Sequence, residues 1–458
     1  MSRKRSFIAA GAAATLLTGI AACSNGDDEV ADDGVVDVWI AFTDYRLDWT
    51  EDVAEEFEAQ HEDLTVNVRG YESYEVLFDA MNNAVAQGDP PAIVQYFEAA
   101  TQDARDEVTE DGDPLFAPLE EAIDGRDDIL GEEVVLDDVV DAARDYYSVD
   151  DSFESMPWNT STTLFYSNRD VLDEAGIDEP PETWEELEDA CDTIADLDDA
   201  PRYCISWPNH GWFPEQAIAM QGGLMANNEN GRADRASELE LTSPEMITYL
   251  EWMQGLNDAG HYYYSGVQDD WDGPRNAFVA EETAFTMTSS GDATLVVGDS
   301  EEAGFEAEVS RMPYNEDTGY TGNLIGGATL WLSNGLGEDT EDGALAFLQY
   351  LNNPENAADW HRATGYIPIT YSSEELLEEE GWFEEHPYHA EANAQLDLTD
   401  GSPAAAGALV GGFVGIRAEV TQAIEDILNQ DVDPGERIAE AQVDAQEILD
   451  RYNELYDY

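Results

Sequence analysis

At 458 residues the chain is longer than one ordinary domain, and its 43% hydrophobic and 10% aromatic content excludes a disordered acidic polymer. Asp and Glu number 103 against 18 Lys and Arg, a formal net charge of -85, which excludes nucleic acid and anionic lipid surfaces as partners, because both need cationic patches. So one-sided a surface repels itself, and molar salt, with a screening length of about 3 Å, removes that penalty; the composition reads as that of an extreme halophile.

In chain order, residues 1–23 read as an export signal: a basic start at Arg3, Lys4 and Arg5, an apolar stretch too short to span a bilayer, then small residues before Cys23. "RKRSFI" resembles a twin-arginine signal with Lys4 in the first arginine's place, and "GIAAC" resembles a lipobox that makes Cys23 the lipidated first residue of the mature chain. Residues 24–34 form an acidic tether, and no later stretch approaches membrane-spanning length. "VVDVWIAF" (35–42) is a β-rich run suited to a buried strand, and the next segment sets Val53 and Phe57 at helical spacing. "LTVNVRGY" predicts a second strand, a helix opens at Ser73 and closes at Gly88, and "PAIVQYF" predicts a third strand. The middle repeats the theme with "STTLFYSNRDVLDEAG", the amphipathic "TWEELEDACDTIADL", the strand "YCISW", and a helix from Ser243 to a glycine stop at Gly260. "TAFTMTSSG" and "GATLWLS" add strands; the rest is mostly helical, with two long helices from Ile416 onward. Repeated β-α-β units predict an α/β fold with largely parallel sheets covered by helices. Cys191 and Cys204 flank a helix-to-strand connection, where a disulfide is permitted but not required.

Several stretches, "GDPPAIVQYFEA", "MPWNTSTTLFYSNRDVLDEAGI", "AFTMTSSGDA", "LIGGATLWLS" and "NPENAADWHRATGYIPIT" among them, resemble extracellular solute-binding proteins of ABC importers, and within them the glycerol-3-phosphate-binding branch. The resemblance spans residues 35–455. It implies a two-lobed periplasmic-binding-protein-like fold with crossing hinge strands and a ligand cleft between the lobes. Crossings are expected at 156–163, at 290–294 and around Trp360. Lobe 1 would then be 35–155 with 295–360, and lobe 2 would be 156–294 with 361–458.

By position, the resemblance carries ligand contacts onto Tyr74, Glu98, Ser161, Ser289, Gly327, Tyr366 and Arg417. It implies that Arg417, the two serines and Gly327 surround a phosphate, while Glu98 and the aromatics serve a glycerol end. The residue types suit that chemistry: guanidinium is a permanent planar fork for phosphate, hydroxyls and a close backbone fill the remaining oxygens, and a carboxylate accepts from polyol hydroxyls while repelling phosphate. The competing reading of Arg417 is an ion pair with Glu419 or another acid. A ligand-covering tryptophan falls at Trp207 or Trp212, where core packing is the alternative for each. Asn159 opens a glycosylation sequon. His361, His386 and His389 lack a zinc-like ligand set, and no nucleotide loop or nucleophile elbow is present, so no metal and no cofactor are expected.

The expected function is an extracellular receptor, lipid-anchored on the outer face of the cytoplasmic membrane. It would capture glycerol 3-phosphate or a related glycerophosphodiester and deliver it to a membrane permease and its ATPase subunit. It is expected to act as a monomer without catalysis, its only membrane contact the lipid anchor. The alternatives are a sugar-binding receptor of the same transporter class and, from another class, a secreted carbohydrate-active hydrolase using paired carboxylates.

Overall fold

The computed structural model describes residues 34–109, 111–149, 152–430 and 432–456, and contains two mixed sheets with helices packed against them. The export signal with Cys23, and the tether up to residue 33, lie outside the described residues.

The first sheet begins as the alternation predicts. Strand Val35–Ile40 lies between Thr65–Gly70 and Ile93–Phe97, all parallel. The crossover helices start where the sequence supplies caps: Asp44 accepts from the Arg46 N–H ahead of Tyr45–Glu58, and Ser73 accepts from the Val76 N–H ahead of Tyr74–Val85. Both bury an apolar stripe, Val53 and Phe57 in one, Leu77 and Met81 in the other. The sheet is not parallel throughout. Gly326–Ser333 inserts antiparallel beside Ile93–Phe97 and pairs on its other side with Phe116–Ala117 and Met156–Ser161.

The second sheet runs in the order Tyr262–Tyr263, Tyr203–Ser206, Thr283–Ser289, Thr163–Asn168, Ala307–Ser310. Tyr203–Ser206 is parallel to both neighbours, whereas Thr163–Asn168 is antiparallel to both of its own. The expectation of largely parallel sheets therefore fails at the strands that carry the chain between sheets, which enter without a helical crossover and are free to run either way.

The chain leaves the first sheet at Ser161 and enters the second at Thr163, within the first expected crossing. The return differs from the expected 290–294: Ala307–Ser310 still pairs with Thr163–Asn168, and the first sheet is regained only at Gly326. Alternating burial at Ala307 and Val309 marks a half-buried edge strand, a pattern that does not say which sheet it joins. Past Trp360 the chain remains against the first sheet, with Ile367 N–H donating to Thr160 O. It reaches the second sheet by Gln395, whose Nε2 donates to Thr163 O.

The closing helices Phe413–Gln430 and Pro434–Leu455 pack on Pro244–Asp258 of the second lobe. They also touch the first lobe: Gly412 N–H donates to Asp103 Oδ1 at 2.8 Å and Tyr452 OH to Asp106 Oδ2 at 2.8 Å. A disulfide joins Cys191, on helix Trp184–Ala195, to Cys204 on strand Tyr203–Ser206. The apolar core is continuous across the lobes, linking Leu77, Tyr96 and Trp331 to Phe165, Phe285 and Ile424.

Candidate functional site

Arg417 lies one turn into the Phe413–Gln430 helix, at the seam between the sheets. The preceding glycines make the turn possible: Gly412 has φ +65°, and a Cβ on Gly411 would stand 2.0 Å from the Tyr452 ring. Gly211 leaves room for the arginine stem, since a Cβ there would lie 2.7 Å from Arg417 Cγ. The guanidinium meets two carboxylates. Its Nε and Nη2 donate to Glu215 at 2.6 and 2.7 Å, and Nη2 lies 2.8 Å from Glu98 Oε1. Glu98 sits at the carboxyl end of strand Ile93–Phe97 in the first lobe, and Glu215 on helix Trp212–Met220 against the second. All three are buried, at 6%, 3% and 6% exposure for Glu98, Glu215 and Arg417. Nη1 is buried without a hydrogen-bond partner. Burial pushes the Glu215 carboxyl up against the opposing pull of Arg417, and burial, then Arg417, pushes His210 down to about 3. With both carboxyls ionised, the trio carries one net negative charge.

The expected separation of Arg417 from Glu98 is therefore absent, and Arg417 forms the ion pair of the competing reading, with Glu98 and Glu215 in place of Glu419. A phosphate on Arg417 would sit beside two carboxylates. Nothing in the residues around Glu215 singles it out among the many acids.

A second constellation surrounds Tyr366. Its ring stacks on Trp360 at 5.7 Å, which stacks on Trp158 at 4.8 Å. Arg46 Nη1 donates to its hydroxyl at 3.4 Å, while Arg46 Nε and Nη2 grip Asp44 at 3.0 and 2.6 Å. The Arg46 guanidinium lies 4.1 Å over the Phe42 ring. Asn159 accepts from Gln95 Nε2 at 2.9 Å through Oδ1, and its Nδ2 lies beside the hydroxyls of Tyr74 and Tyr366 without completing a hydrogen bond. Burial raises both tyrosine hydroxyls above their ordinary value, so they remain proton donors. Tyr74 opens its helix beside Phe97, with ring centroids 4.8 Å apart, and the same Phe97 ring lies 5.9 Å from the Arg417 guanidinium carbon. The two constellations thus adjoin.

Between them the crossing strands meet. Ser161 pairs with Gly326 and Thr160 with Gly327, and Gly327 has φ +88° with Asn159 O 1.8 Å from where a Cβ would stand, so only glycine fits. Ser289 pairs with Thr163 at the end of its strand, and its Oγ accepts from the Gly291 N–H at 3.1 Å. The Tyr366 ring packs on Gly291, where a Cβ would come within 2.6 Å. Trp212 lies flat on Gly326, where a Cβ would come within 2.1 Å of the indole, and its Nε1 donates to Ile325 O at 3.3 Å. Trp207 does not face this seam. At 1% exposure it stacks on Trp252 at 5.7 Å and lies tilted against Tyr262 at 4.2 Å in the second-lobe core, so it takes the core-packing alternative and not the covering role. Trp271, half-buried and 6.3 Å from Trp212, is a further seam aromatic that the sequence does not single out, as are Trp158, Phe42 and Phe97. Asn159, noticed only as a sequon, is 1% exposed and faces the site.

His361 donates from Nδ1 to Tyr366 O at 2.7 Å and meets His389 at 2.9 Å; burial lowers them to about 4 and about 2, as structural neutral imidazoles. Among the described residues no cluster of three or more His, Cys, Asp or Glu is placed to hold a metal, and no helix is long and apolar enough to cross a membrane. An open groove of about 790 Å³ beside Pro181, Asp189, Arg311 and Tyr314 contains none of the seam residues.

Comparison with known proteins agrees with this architecture. The family model described as bacterial extracellular solute-binding protein matches residues 52–391. The chain is 29% identical over 407 residues to the sn-glycerol-3-phosphate-binding periplasmic protein UgpB of Pectobacterium atrosepticum, covering 88% of each chain. It is 28% identical to the same-named protein of Escherichia coli K12, covering 87% of this chain and 89% of that one. Among solved structures, UgpB of Mycobacterium tuberculosis in complex with glycerophosphocholine superposes with a TM-score of 0.72 at 21% identity, over 91% of this chain and 99% of that one. Maltose-bound MalE3 of T. maritima superposes with a TM-score of 0.73 at 16% identity, over 91% and 100%. These neighbours are two-lobed binding proteins, and the chain belongs to the bacterial extracellular solute-binding protein family.

Proposed function

We propose that the chain captures glycerol 3-phosphate or a related glycerophosphodiester outside the cytoplasmic membrane and hands it to an ABC permease and its ATPase subunit. The observation that carries this reading is the seam itself. Side chains from both lobes, Glu98 and Tyr74 from one and Glu215 and Trp212 from the other, converge with Tyr366 and Arg417 on a place that also holds a crossing-strand glycine. Relatives of matching length are named for glycerol 3-phosphate, and a structural neighbour holds glycerophosphocholine. Contacts from both lobes reward closure over the ligand, and no bond need be made or broken. On this reading the ligand contacts are Tyr74, Glu98, Ser161, Ser289, Gly327, Tyr366, Arg417 and Trp212. The lobes are the two sheets with their helices, exchanging at 161–163 and 323–326 and after 370.

The leader reading goes with it: export, lipidation at Cys23, and a tether that leaves the receptor monomeric at the membrane surface. The acidic surface makes it a protein of molar salt; a cooperative native fold in dilute buffer, seen by circular dichroism, would refute that part. A sugar ligand is the second reading, favoured by the stacked Trp158, Trp360 and Tyr366 and by the paired carboxylates, which suit a polyhydroxylated ring. A thermal-shift panel in molar salt with glycerol 3-phosphate, glycerophosphocholine, maltose and glycerol tests the assignment. Stabilisation by the two phosphate esters is expected; stabilisation by maltose alone assigns the sugar, and turnover of any of them removes the receptor reading.

A further inference from the structure

The seam contains two arginines, and their surroundings differ in charge. Arg417 is held by two buried carboxylates, so a phosphoryl group placed on it would bring further negative charge into contact with Glu98 and Glu215, away from water. What that trio offers is three hydrogen-bonding groups of mixed polarity, carboxylate oxygens that accept and an Nη1 that donates. This is the complement of vicinal hydroxyls, each of which is donor and acceptor at once.

The Tyr366 side of the seam is richer in donors, and Asp44, the partner of its arginine, is exposed. Arg46 faces one carboxylate, Asp44, with Nε and Nη2, and turns Nη1 to the Tyr366 hydroxyl at a long 3.4 Å. The hydroxyls of Tyr74 and Tyr366 and the Asn159 amide stand beside it. Asn159 Nδ2 is a buried donor with no acceptor, and Asn159 is 1% exposed. Buried donors require acceptors, and phosphoryl oxygens are acceptors only. Asp292 of the second lobe faces this pole as well; burial raises its carboxyl, and its Oδ2 accepts from Thr288 at 3.0 Å. The two poles share Phe97, whose ring lies 4.8 Å from that of Tyr74 and 5.9 Å from the Arg417 guanidinium carbon, so they adjoin.

We infer that Arg46, with Tyr74, Tyr366 and Asn159, binds the anionic phosphoryl group, and that Arg417 with Glu98 and Glu215 binds the hydroxyl-bearing end. Arg46 then sets the preference for a phosphate ester over a neutral polyol. The assignment rests on the phosphate-ester reading above.

Titration calorimetry of the full chain in molar salt, with glycerol 3-phosphate and glycerophosphocholine as separate arms, tests it. Arg46→Gln is expected to weaken binding of both esters at least ten-fold, and Arg46→Lys to recover part of the loss by restoring charge without the planar fork. The greater loss for the glycerol 3-phosphate dianion would assign the monoester, equal loss the diester, and either supports the placement. Equal affinity in Arg46→Gln and the unsubstituted protein overturns the placement alone, because the receptor reading survives it. Absence of ester binding by the unsubstituted protein overturns both. If Arg46→Gln fails to fold, Tyr74→Phe and Tyr366→Phe, which delete only hydroxyls, replace it; a several-fold loss in either supports the phosphoryl site, and unchanged affinity in both overturns it.

Discussion

Replacing Arg417 with methionine keeps most of the buried volume and removes the charge. Glu98 and Glu215 would then share a site where they are 6% and 3% exposed, with their shared cation gone. Removing one partner of a buried ion pair costs about 3–5 kcal/mol. Here one arginine serves two carboxylates, which puts the cost at pH 7 in the upper half of that range. Unfolding entropy of about 2.1 cal/mol/K per residue corresponds to roughly 0.9 kcal/mol per degree for a chain of this length, so the midpoint should fall by about 4–6 °C. The loss must also depend on pH. Burial already raises the Glu215 carboxyl against the pull of Arg417, and without that pull it rises further above the ordinary value of about 4.3. A carboxyl raised in the folded state contributes fully below its unfolded value, and that contribution is lost as pH climbs through the folded value. The deficit should therefore be smaller at pH 5 than at pH 7. Scanning calorimetry without ligand in molar salt at both pH values is the assay. An unchanged midpoint, or a deeper deficit at pH 5, refutes the reasoning.

Gly327→Ala should cost about 3 kcal/mol or more, because the new Cβ would stand 1.8 Å from Asn159 O at φ +88°; a native-like melting midpoint would contradict that geometry. Gly211→Ala should displace the Arg417 stem, lowering stability by about 1–3 kcal/mol and weakening ester binding in the same titration; intact affinity would count against a ligand role for Arg417. Burial pushes Asp103 up to about 6 and Glu107 up to about 7, so their contributions should be lost as pH rises through that window. Asp103→Asn, which keeps an oxygen for Gly412 N–H, should flatten the fall in melting midpoint between about pH 5 and pH 8, and a slope equal to that of the unsubstituted protein would reject the assignment. Stopped-flow association of glycerol 3-phosphate should accelerate as salt rises from about 0.5 M to about 3 M, the screening length being about 3 Å at 1 M; a rate that falls would mean that attraction, not repulsion, governs encounter.

Elements whose boundaries depend on local chemistry were legible in the sequence. Ser73 and Ser243 each cap the helix that follows by accepting from a backbone N–H, and Gly88 and Gly260 lie just past helix ends at positive φ. Strand pairing was not legible, because Gly326–Ser333 finds partners more than 160 residues away and its apolar run suits either direction. The resemblance brought Tyr74, Glu98, Ser161, Ser289, Gly327, Tyr366, Trp212 and Arg417 to one seam, yet it could not reveal which charges meet there. Glu215 is one acid among 103, and nothing in its neighbours marks it as buried. Arg46 reads as an ordinary first-turn residue until Asp44 and Tyr366 are seen on either side of it. Trp207 and Trp212 have the same local composition, and only the position of Gly326 beneath one and Trp252 beside the other separates them.

In so acidic a chain the arginines are placed sparingly. Arg235, Arg362 and Arg437 join acids at element junctions. Arg417 and Arg46 are different, because each presents a planar fork to a carboxylate and keeps one further nitrogen directed elsewhere. A guanidinium pinned on two sides loses little freedom when a third acceptor arrives, so the carboxylates that reduce its net charge also fix its aim. On the proposed reading, molar salt would screen the repulsive field of the surface but not contacts at 3 Å inside the seam, so that an anion could be selected by a molecule of the same sign. On that reading the sign of the outer field would govern how fast ligand arrives, and the two arginine sites how long it stays.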